Sequence, residues 1–278
     1  MKKVLSLMLA LVMCVGCLSL TGCSGDSSEG AKYKIGIVQL VEHVALDAAT
    51  EGFKQAIIDE LGEDAVEFDF QNGQNDPNTC STIANQFVSN NVDLIMANAT
   101  PALQAASAAT GDIPILGTSV TEYGVALEIK NFNGTVGGNI SGTSDLAPLD
   151  KQADMITEWC PDAKTVGILY CSAEPNSKYQ SDVITDNLKA LGFEVKEYTF
   201  TDSNDISSVT TTVAENCDVL FAPTDNTVAN NAEAIANVNK TEKKAELHIY
   251  SGSALSKRKF AKLNDGENSF LHNAIPYS

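Results

Sequence analysis

Short apolar runs alternate with helical patterns along most of this chain, and that alternation constrains its fold more than any other feature. Between Tyr33 and Gly117 four strand-like runs are separated by three helical segments. Between Leu149 and Val238 four helical segments alternate with three strand-like runs. A strand–helix–strand order needs a crossover connection, and such connections build parallel sheets covered by helices. The sequence therefore predicts the α/β class, with two doubly wound parallel-sheet lobes.

A Gly-rich segment separates the two series. Residues 118–145 hold five glycines together with Asn131 and Asn133, and the apolar pattern pauses there. We interpret the segment as a linker and hinge, which places lobe 1 at residues 33–145 and lobe 2 at residues 146–238. Ligands of doubly wound sheets bind outside the carboxyl ends of the strands, so the cleft between the lobes is the expected site.

Polar side chains collect where the predicted strands end. Any one of them could be an ordinary loop residue or a helix cap. Together they favour a binding cleft, and the backbone N–H groups at the following helix starts suit an anionic group such as an α-carboxylate. The candidate ligand-binding residues are Gln39, Glu42, His43, Asn98, Ala99, Thr100, Thr118 and Ser119 in lobe 1, with Glu174, Asn176, Ser177, Thr224, Asp225 and Asn226 in lobe 2.

The N-terminus has the pattern of a lipoprotein signal peptide. A basic start precedes an apolar run, Val4–Leu20, and Leu-Thr-Gly-Cys then ends at Cys23. We expect a signal peptide at residues 1–22, a diacylglycerol on the Cys23 thiol and a flexible polar tether at residues 23–32. The alternatives are a transmembrane helix, for which the run is barely long enough, and a weaker cleavage site before Cys17. The expected location is extracytoplasmic, at the cell membrane.

The charge balance excludes some classes of partner. The chain carries 18 Lys plus Arg against 36 Asp plus Glu, which gives a net charge of −18. An anionic protein is a poor match for nucleic acid and for anionic lipid. We therefore expect no nucleic-acid partner, and membrane contact through the lipid anchor only.

Catalytic and metal-binding patterns are missing from the sequence. It contains no GxSxG, GxGxxG, P-loop or HExxH motif. His43 beside Glu42 could indicate acid–base chemistry on an α/β enzyme, but a ligand contact or a cap is favoured because no nucleophile is in view. Four isolated cysteines predict neither a disulfide framework nor a metal site: Cys80, Cys160, Cys171 and Cys217. We expect a binding protein without catalytic residues, metal or cofactor.

Six segments, in order and at familiar spacing, carry a resemblance to a known family: Ile35–His43, Leu46-Asp47, Glu51–Phe53, Asn98–Ala102, Glu174–Ser177 and Pro223–Thr227. Through them the chain is similar to the ABC transporter substrate-binding family that includes tryptophan-binding lipoproteins. The resemblance implies a type I periplasmic-binding fold, a partner permease and ATPase, and a small-molecule ligand, often an aromatic amino acid in relatives. The alternative is a lipoprotein that presents bound ligand to a membrane receptor.

An amino-acid ligand would need partners for both of its charges. Asp225 is the expected counter-charge for the α-amino group, with Glu174 as the alternative. Thr100, Ser119 and neighbouring backbone amides would hold the carboxylate. Three aromatic residues could stack on an aromatic ligand, although packing in the cores is favoured for each: Tyr123, Tyr170 and Phe221.

The residues after Val238 depart from the family pattern. Relatives continue with a strand, a Gly-rich segment and a helix that returns to the first lobe. Residues 239–278 are instead mostly polar and hold 7 Lys plus Arg against 4 Asp plus Glu. We expect an atypical tail, frameshifted or disordered, in which the return to lobe 1 is missing. The alternative is a genuine divergent segment in which Leu247–Tyr250 forms a short strand.

Overall fold

The computed structural model describes residues 33–241 and 248–251, which form two separate parallel sheets. The strands are β1 (Tyr33–Gln39), β2 (Val66–Asn72), β3 (Leu94–Asn98), β4 (Ile115–Val120), β5 (Ile140–Ser144), β6 (Thr165–Cys171), β7 (Glu194–Phe200), β8 (Val219–Ala222) and β9 (His248–Ser251). The first sheet has the order β2-β1-β3-β4-β5 and the second the order β7-β6-β8-β9. The predicted α/β class with two doubly wound lobes is confirmed.

Helices connect the strands of both sheets. They are α1 (Val44–Leu61), α2 (Pro77–Ser89), α3 (Thr100–Ala109), α4 (Tyr123–Ala126), α5 (Leu149–Trp159), α6 (Pro175–Ala190), α7 (Ile206–Asn216), α8 (Asn226–Asn230) and α9 (Ala232–Thr241). Two sequence signals set their starts. Asp76 accepts a hydrogen bond from the Asn78 amide (3.0 Å) ahead of Pro77 in α2, and Pro175 occupies the first turn of α6.

Glycines in the central strands let helices pack directly on each sheet. Gly36 in β1 lies under the Phe87 ring of α2, and a Cβ there would come within 2.6 Å of the ring. Gly167 in β6 lies in the same way under Val213 of α7, at 2.7 Å. These close approaches are possible only where a side chain is missing, so they fix where each helix sits on its sheet.

An aspartate ties together the starts of two neighbouring strands in each lobe. In lobe 1, Asp93 accepts from the Lys34 amide (2.8 Å) and returns its own amide to the Lys34 carbonyl (2.8 Å). In lobe 2, Asp218 accepts from the Lys164 amide (2.8 Å) and from the Thr165 amide and hydroxyl (2.9 Å each). The amino edges of the two sheets are therefore built alike.

The interpretation of residues 118–145 as a linker is wrong for much of that segment. Tyr123–Ala126 forms α4, and Ile140–Ser144 forms β5, which pairs with β4 at the edge of the first sheet. The strand escaped detection because four of its five residues are exposed and polar or Gly, as an edge strand allows. The chain leaves lobe 1 after Asp145, and α5 begins at Leu149.

Some sequence predictions fall outside the described residues. These are the signal peptide at residues 1–22, the lipid on Cys23, the tether at residues 23–32, and most of the tail at residues 239–278. Within the tail, His248–Ser251 forms β9 beside β8, where a short strand was one of the two expectations. None of the helices in the described ranges is long and apolar enough to cross a bilayer.

Candidate ligand-binding site

Buried amide and hydroxyl groups form a hydrogen-bond network at the carboxyl edge of the first sheet, and the half-buried carboxylate of Asp47 joins it. Thr50 Oγ1 donates to Gln39 Oε1 (2.6 Å), and Gln39 Nε2 donates to Asp47 Oδ1 (2.7 Å). Asn98 Nδ2 donates to the Leu46 carbonyl (2.8 Å) and to Thr50 Oγ1 (3.0 Å). Gln39 and Asn98 are completely buried. Both predicted residues therefore fix α1 against the ends of β1 and β3.

The turn from β3 into α3 has an unusual backbone. Ala99 has φ 90° and ψ 157°, a conformation that residues with a Cβ rarely adopt, and Ser119 in neighbouring β4 has φ 54°. The Ala99 amide donates to the Thr118 carbonyl (3.0 Å), which joins the two turns. Strain of this kind collects at functional sites. The turn places the start of α3, with the buried Thr100, at the carboxyl edge of the sheet.

Asp225 lies at the equivalent edge of lobe 2 and is 3% exposed. One carboxylate oxygen accepts from the Val228 amide (2.7 Å), which makes Asp225 the N-cap of α8. The other accepts from the Cys171 amide (2.8 Å) and from Ser177 Oγ (2.7 Å). Asp225 therefore joins the ends of β6 and β8 to the start of α6. Its predicted role as the ligand's direct counter-charge stays a prediction.

Glu174 is equally buried and holds the other half of the same turn. Oε2 accepts from the Asn226 amide (2.9 Å) and from Asn226 Nδ2 (2.8 Å). Oε1 accepts from the Thr227 amide and from Thr227 Oγ1, both at 2.8 Å. Asn176 Nδ2 lies 3.4 Å from Oε2. Each oxygen of Glu174 thus organises one residue at the start of α8.

Asp225 and Glu174 form a buried pair of carboxylates. Burial raises the pKa of Asp225 well above its ordinary value, and the neighbouring charge of Glu174 raises it further. Among the described side chains, neither carboxylate has a Lys or Arg within salt-bridge distance. The observed ion pairs all involve exposed or half-exposed lysines elsewhere. The carboxyl edge of lobe 2 therefore holds two neighbouring buried carboxyl groups that are paired with hydrogen-bond donors.

Two hydrogen bonds cross from lobe 1 to lobe 2 at these edges. Asn75 Nδ2 donates to Thr227 Oγ1 (3.0 Å), and His43 Nε2 lies 3.4 Å from Asn226 Oδ1. Helix α4 of lobe 1 also packs against α6 of lobe 2. The two carboxyl edges consequently face each other across one interlobe cleft.

Three buried oxygen atoms near these edges have no hydrogen-bond partner: Asn98 Oδ1, Asn176 Oδ1 and Asp145 Oδ1. Buried polar atoms are nearly always paired, so each is a candidate acceptor for a ligand. Asp145 follows β5, and burial raises the pKa of its carboxyl group. An acceptor is thus available on lobe 1, on lobe 2 and at the crossing between them.

The aromatic residues suggested as stacking partners are packed in the cores. Tyr123 donates its hydroxyl to the Gly117 carbonyl (2.9 Å), and Tyr170 donates its hydroxyl to Glu197 (3.2 Å). Burial raises the pKa of both phenols to about 12. Phe221 is 1% exposed within β8. Core packing, the favoured expectation for these three residues, is observed.

The remaining candidates lie at the rim of the same edges. Glu42 is exposed and His43 half-buried at the start of α1, while Thr118 Oγ1 lies 3.3 Å from Thr143 Oγ1. In lobe 2 the Thr224 amide donates to Gln180 Oε1 (3.1 Å). The structure therefore gathers the fourteen predicted residues at two facing edges.

Sequence reasoning missed three residues at these edges: Asn75, Asp145 and Gln180. Asn75 follows β2, so its position after a strand end is a signal that the sequence does contain. Asp145 was hidden because β5 was not recognised. Gln180 lies one helical turn after Ser177, and its burial could not be inferred without the packing of α6.

Among the described residues, no group of three His, Cys, Asp or Glu side chains could hold a metal ion. Two parallel-sheet lobes with facing polar edges define a two-lobed small-molecule binding protein. The family model described as "ABC transporter substrate binding protein" matches residues 34–251. The chain belongs to this family of ABC transporter substrate-binding proteins.

Named relatives agree with the family. A protein of Clostridioides difficile (strain R20291) named "Tyrosine-binding protein" is 40% identical over 255 residues, covering 86% of this chain and 73% of that protein. The crystal structure of an ABC domain in complex with L-Trp from Streptococcus pneumonia is 32% identical, covers 80% of this chain and 74% of that chain, and has a TM-score of 0.74.

A third comparison bears on the arrangement of the lobes. The ligand-free, open structure of a substrate binding protein with adhesive properties from Clostridium difficile is 39% identical. It covers 79% of this chain and 74% of that chain, yet its TM-score is only 0.55. The described structure is thus closer in shape to the L-Trp complex, although it is closer in sequence to the open protein.

Proposed function

We propose that this chain is the extracytoplasmic solute-binding component of an ABC importer and captures an aromatic amino acid, tyrosine or tryptophan, between its lobes. The observation that carries the proposal is the chemical difference between the facing edges. Lobe 1 offers a helix start with a buried hydroxyl, whereas lobe 2 offers the two buried carboxyl groups of Asp225 and Glu174. A zwitterion carries the two charges that such a pair of edges would complement.

The ligand carboxylate is assigned to lobe 1. The first amides of α3 have no intrahelical partner, and a helix N-terminus favours an anion. Thr100 adds a buried hydroxyl there, and Ser119 stands on the adjoining turn. These groups are donors, which is the chemistry that a carboxylate requires.

The α-ammonium group is assigned to lobe 2. Asn176 Oδ1 is buried without a partner, and its amide nitrogen lies beside Glu174. The carboxylate oxygens of Asp225 and Glu174 already accept hydrogen bonds from donors within lobe 2. We therefore propose that they supply negative potential, while Asn176 Oδ1 accepts the hydrogen bond from the ligand ammonium group. Asp145 Oδ1 is a second acceptor at the crossing.

The proposal that the ligand has an aromatic side chain is supported by the relatives. One relative is named for tyrosine, and another was solved with L-Trp. A thermal-shift screen of the twenty amino acids and common sugars with this chain tests it. We expect tyrosine or tryptophan to raise the melting temperature most. A response only to branched-chain amino acids or to sugars would refute the assignment.

Anchoring and transport complete the proposal. A diacylglycerol at Cys23, predicted from the sequence, would hold the protein at the outer face of the membrane beside a permease and an ATPase. Changing Cys23→Ala should release the protein from the membrane fraction or leave it unprocessed. The neighbouring genes distinguish import from the alternative role in ligand sensing, because an importer needs a permease and an ATPase.

A further inference from the structure

The carboxylate of Glu174 binds both lobe 2 residues of the two interlobe hydrogen bonds described above. Asn226 and Thr227 are the lobe 2 residues that reach lobe 1, and each gives Glu174 a backbone donor and a side-chain donor. These four hydrogen bonds measure between 2.8 and 2.9 Å. An ionised acceptor makes such bonds stronger than neutral ones, so the two side chains are held in single orientations.

The Thr227 hydroxyl is part of a directed chain. Thr227 Oγ1 donates to Glu174 Oε1 (2.8 Å) and accepts from Asn75 Nδ2 (3.0 Å). A hydroxyl has one donor, and Glu174 engages it, so the lone pairs remain available to lobe 1. Hydrogen bonds in series polarise one another, which strengthens the link between the lobes.

The Asn226 amide is oriented in the same way. Its Nδ2 donates to Glu174 Oε2 (2.8 Å), which turns Oδ1 toward His43 Nε2 at 3.4 Å. Because an amide oxygen can only accept, the His43 ring nitrogen must donate in this pair. Glu174 thereby fixes the orientation of the Asn226 side-chain amide, so that its oxygen faces lobe 1.

Lobe 1 presents its half of the contact on a fixed loop. Gln74 and Asn75 have φ of 54° and 60°, a left-handed conformation uncommon outside glycine. The Asn75 amide donates to the Leu40 carbonyl (2.8 Å), and the Gly73 amide donates to the Gln39 carbonyl (2.7 Å). The loop is therefore tied to the end of β1, and Asn75 is placed before the lobes meet.

We propose that Glu174 is a positioning residue for lobe closure, which holds Asn226 and Thr227 as a preformed latch for His43 and Asn75. The proposal rests on the proposed function, because closure is what retains the ligand. It gives Glu174 a role other than the ligand counter-charge considered from the sequence. The latch needs no ligand atom, so it stabilises the closed arrangement by itself.

A pair of nearly isosteric variants tests the latch in the full chain. Thr227→Val removes the hydroxyl and keeps the shape, whereas Thr227→Ser keeps the hydroxyl. With L-tyrosine and L-tryptophan as probes, we expect the dissociation rate to rise about three- to tenfold in Thr227→Val and in Asn75→Ala. Thr227→Ser should dissociate as the unchanged protein does.

Glu174→Gln separates positioning from folding. In the ligand-free protein it should enlarge the radius of gyration at least as much as Thr227→Val, because an amide cannot accept from donors on all sides. This readout excludes the effect of the lost charge on the ligand. The matched control is Glu197→Gln, since Glu197 also accepts side-chain donors in lobe 2, from Tyr170 (3.2 Å) and Ser181 (3.2 Å). That control should lower thermal stability without changing the radius of gyration.

Small-angle scattering of the ligand-free proteins measures lobe closure without any ligand, so its result does not depend on the proposed function. The Thr227→Val and Asn75→Ala variants should have a larger radius of gyration than the unchanged chain, because fewer molecules stay closed. If neither amino acid binds the unchanged chain, the proposed function fails while this comparison still decides the latch. An unchanged radius of gyration, with an unchanged dissociation rate wherever ligand binds, would overturn the latch.

Discussion

The two lobes are alike at one edge of their sheets and different at the other. At the amino edge, Asp93 and Asp218 make the same kind of tie between neighbouring strands. At the carboxyl edge, lobe 1 buries amides and hydroxyls around Asn98, whereas lobe 2 buries the carboxylates of Glu174 and Asp225. The shared edge belongs to the scaffold. Under the proposed function, the contrasting edges would give a bound amino acid one orientation.

The difference also has an energetic side. A neutral hydrogen-bond network replaces bonds to water at little net cost, whereas a buried carboxylate loses much solvation. Asp225 and Glu174 offset that loss with backbone and side-chain donors, but their mutual repulsion remains. Retaining such a pair is costly to stability, so we expect it to serve ligand binding and closure.

The largest expected effect is on folding. Asp225→Ala removes the acceptor of two buried backbone amides and one hydroxyl, and should lower the free energy of unfolding by about 3 kcal/mol in urea denaturation. Asn98→Ala, its counterpart in lobe 1, should cost about 1–2 kcal/mol because it removes the hydrogen bonds to the Leu46 carbonyl and to Thr50 Oγ1. An equal loss of unfolding free energy in Asp225→Ala and Asn98→Ala would contradict the proposed difference between the two edges.

The next effect is on affinity at the lobe 1 edge. Thr100→Val removes the buried hydroxyl at the start of α3 and should weaken L-tyrosine or L-tryptophan binding about tenfold by calorimetry. Thr110→Val, at the other end of α3, is the matched control because its hydroxyl accepts only from local amides. If both variants bind equally well, the carboxylate is held elsewhere.

Two aspartates of lobe 2 should respond to pH in opposite directions. Hydrogen bonds from Lys164 and Thr165 lower the pKa of Asp218, so its contribution is present above the unfolded value of 3.8 and is lost as pH falls through the folded value. Burial raises the pKa of Asp225, so the fold gains stability as pH falls through that raised value toward the ordinary value of 3.8.

Denaturation of single variants at several pH values checks both signs. Asp218→Asn should lose stability at pH 7 and differ little from the unchanged chain once the carboxyl is protonated. Its effect should be below about 1 kcal/mol, because the site is largely solvated. Asp225→Asn should lack the gain on mild acidification. Parallel curves for the unchanged chain and Asp225→Asn would contradict the raised pKa.

The smallest effect concerns the core aromatics. Tyr170→Phe removes one hydrogen bond, to Glu197, and should cost no more than about 1 kcal/mol of stability. Ligand affinity should not change, because the ring lies within lobe 2. A weaker affinity for aromatic amino acids would place Tyr170 in the cleft and revise the account of lobe 2.

The sequence was most informative where patterning is strong. Buried parallel strands have apolar runs and Asp76-Pro77 marks a helix start, so the order of strands and helices in each lobe was predicted from the sequence. Ile140–Ser144 was missed because an exposed edge strand needs few apolar residues. A Gly-rich edge strand and a linker look alike in one sequence, since only pairing with β4 tells them apart.

The site was predicted in position but not in detail. Strand ends pointed to Glu174 and Asp225, because the carboxyl ends of parallel strands meet at one edge. Which of their oxygens are already used depends on the packing of α6 and α8, and no spacing reveals it. The Asn75–Thr227 contact joins residues 152 positions apart in different lobes, so it depends on how the lobes pack.

Calorimetric titration of this chain with tyrosine and its one-charge analogues tests the central claim most directly. The account predicts that L-tyrosine binds, and that 3-(4-hydroxyphenyl)propionate, which lacks the ammonium, binds at least about a hundredfold more weakly. Tyramine, which lacks the carboxylate, should lose a comparable factor, and Thr100→Val should leave its weak affinity unchanged. Equal affinity for L-tyrosine and either analogue would contradict a cleft in which one lobe binds each charge.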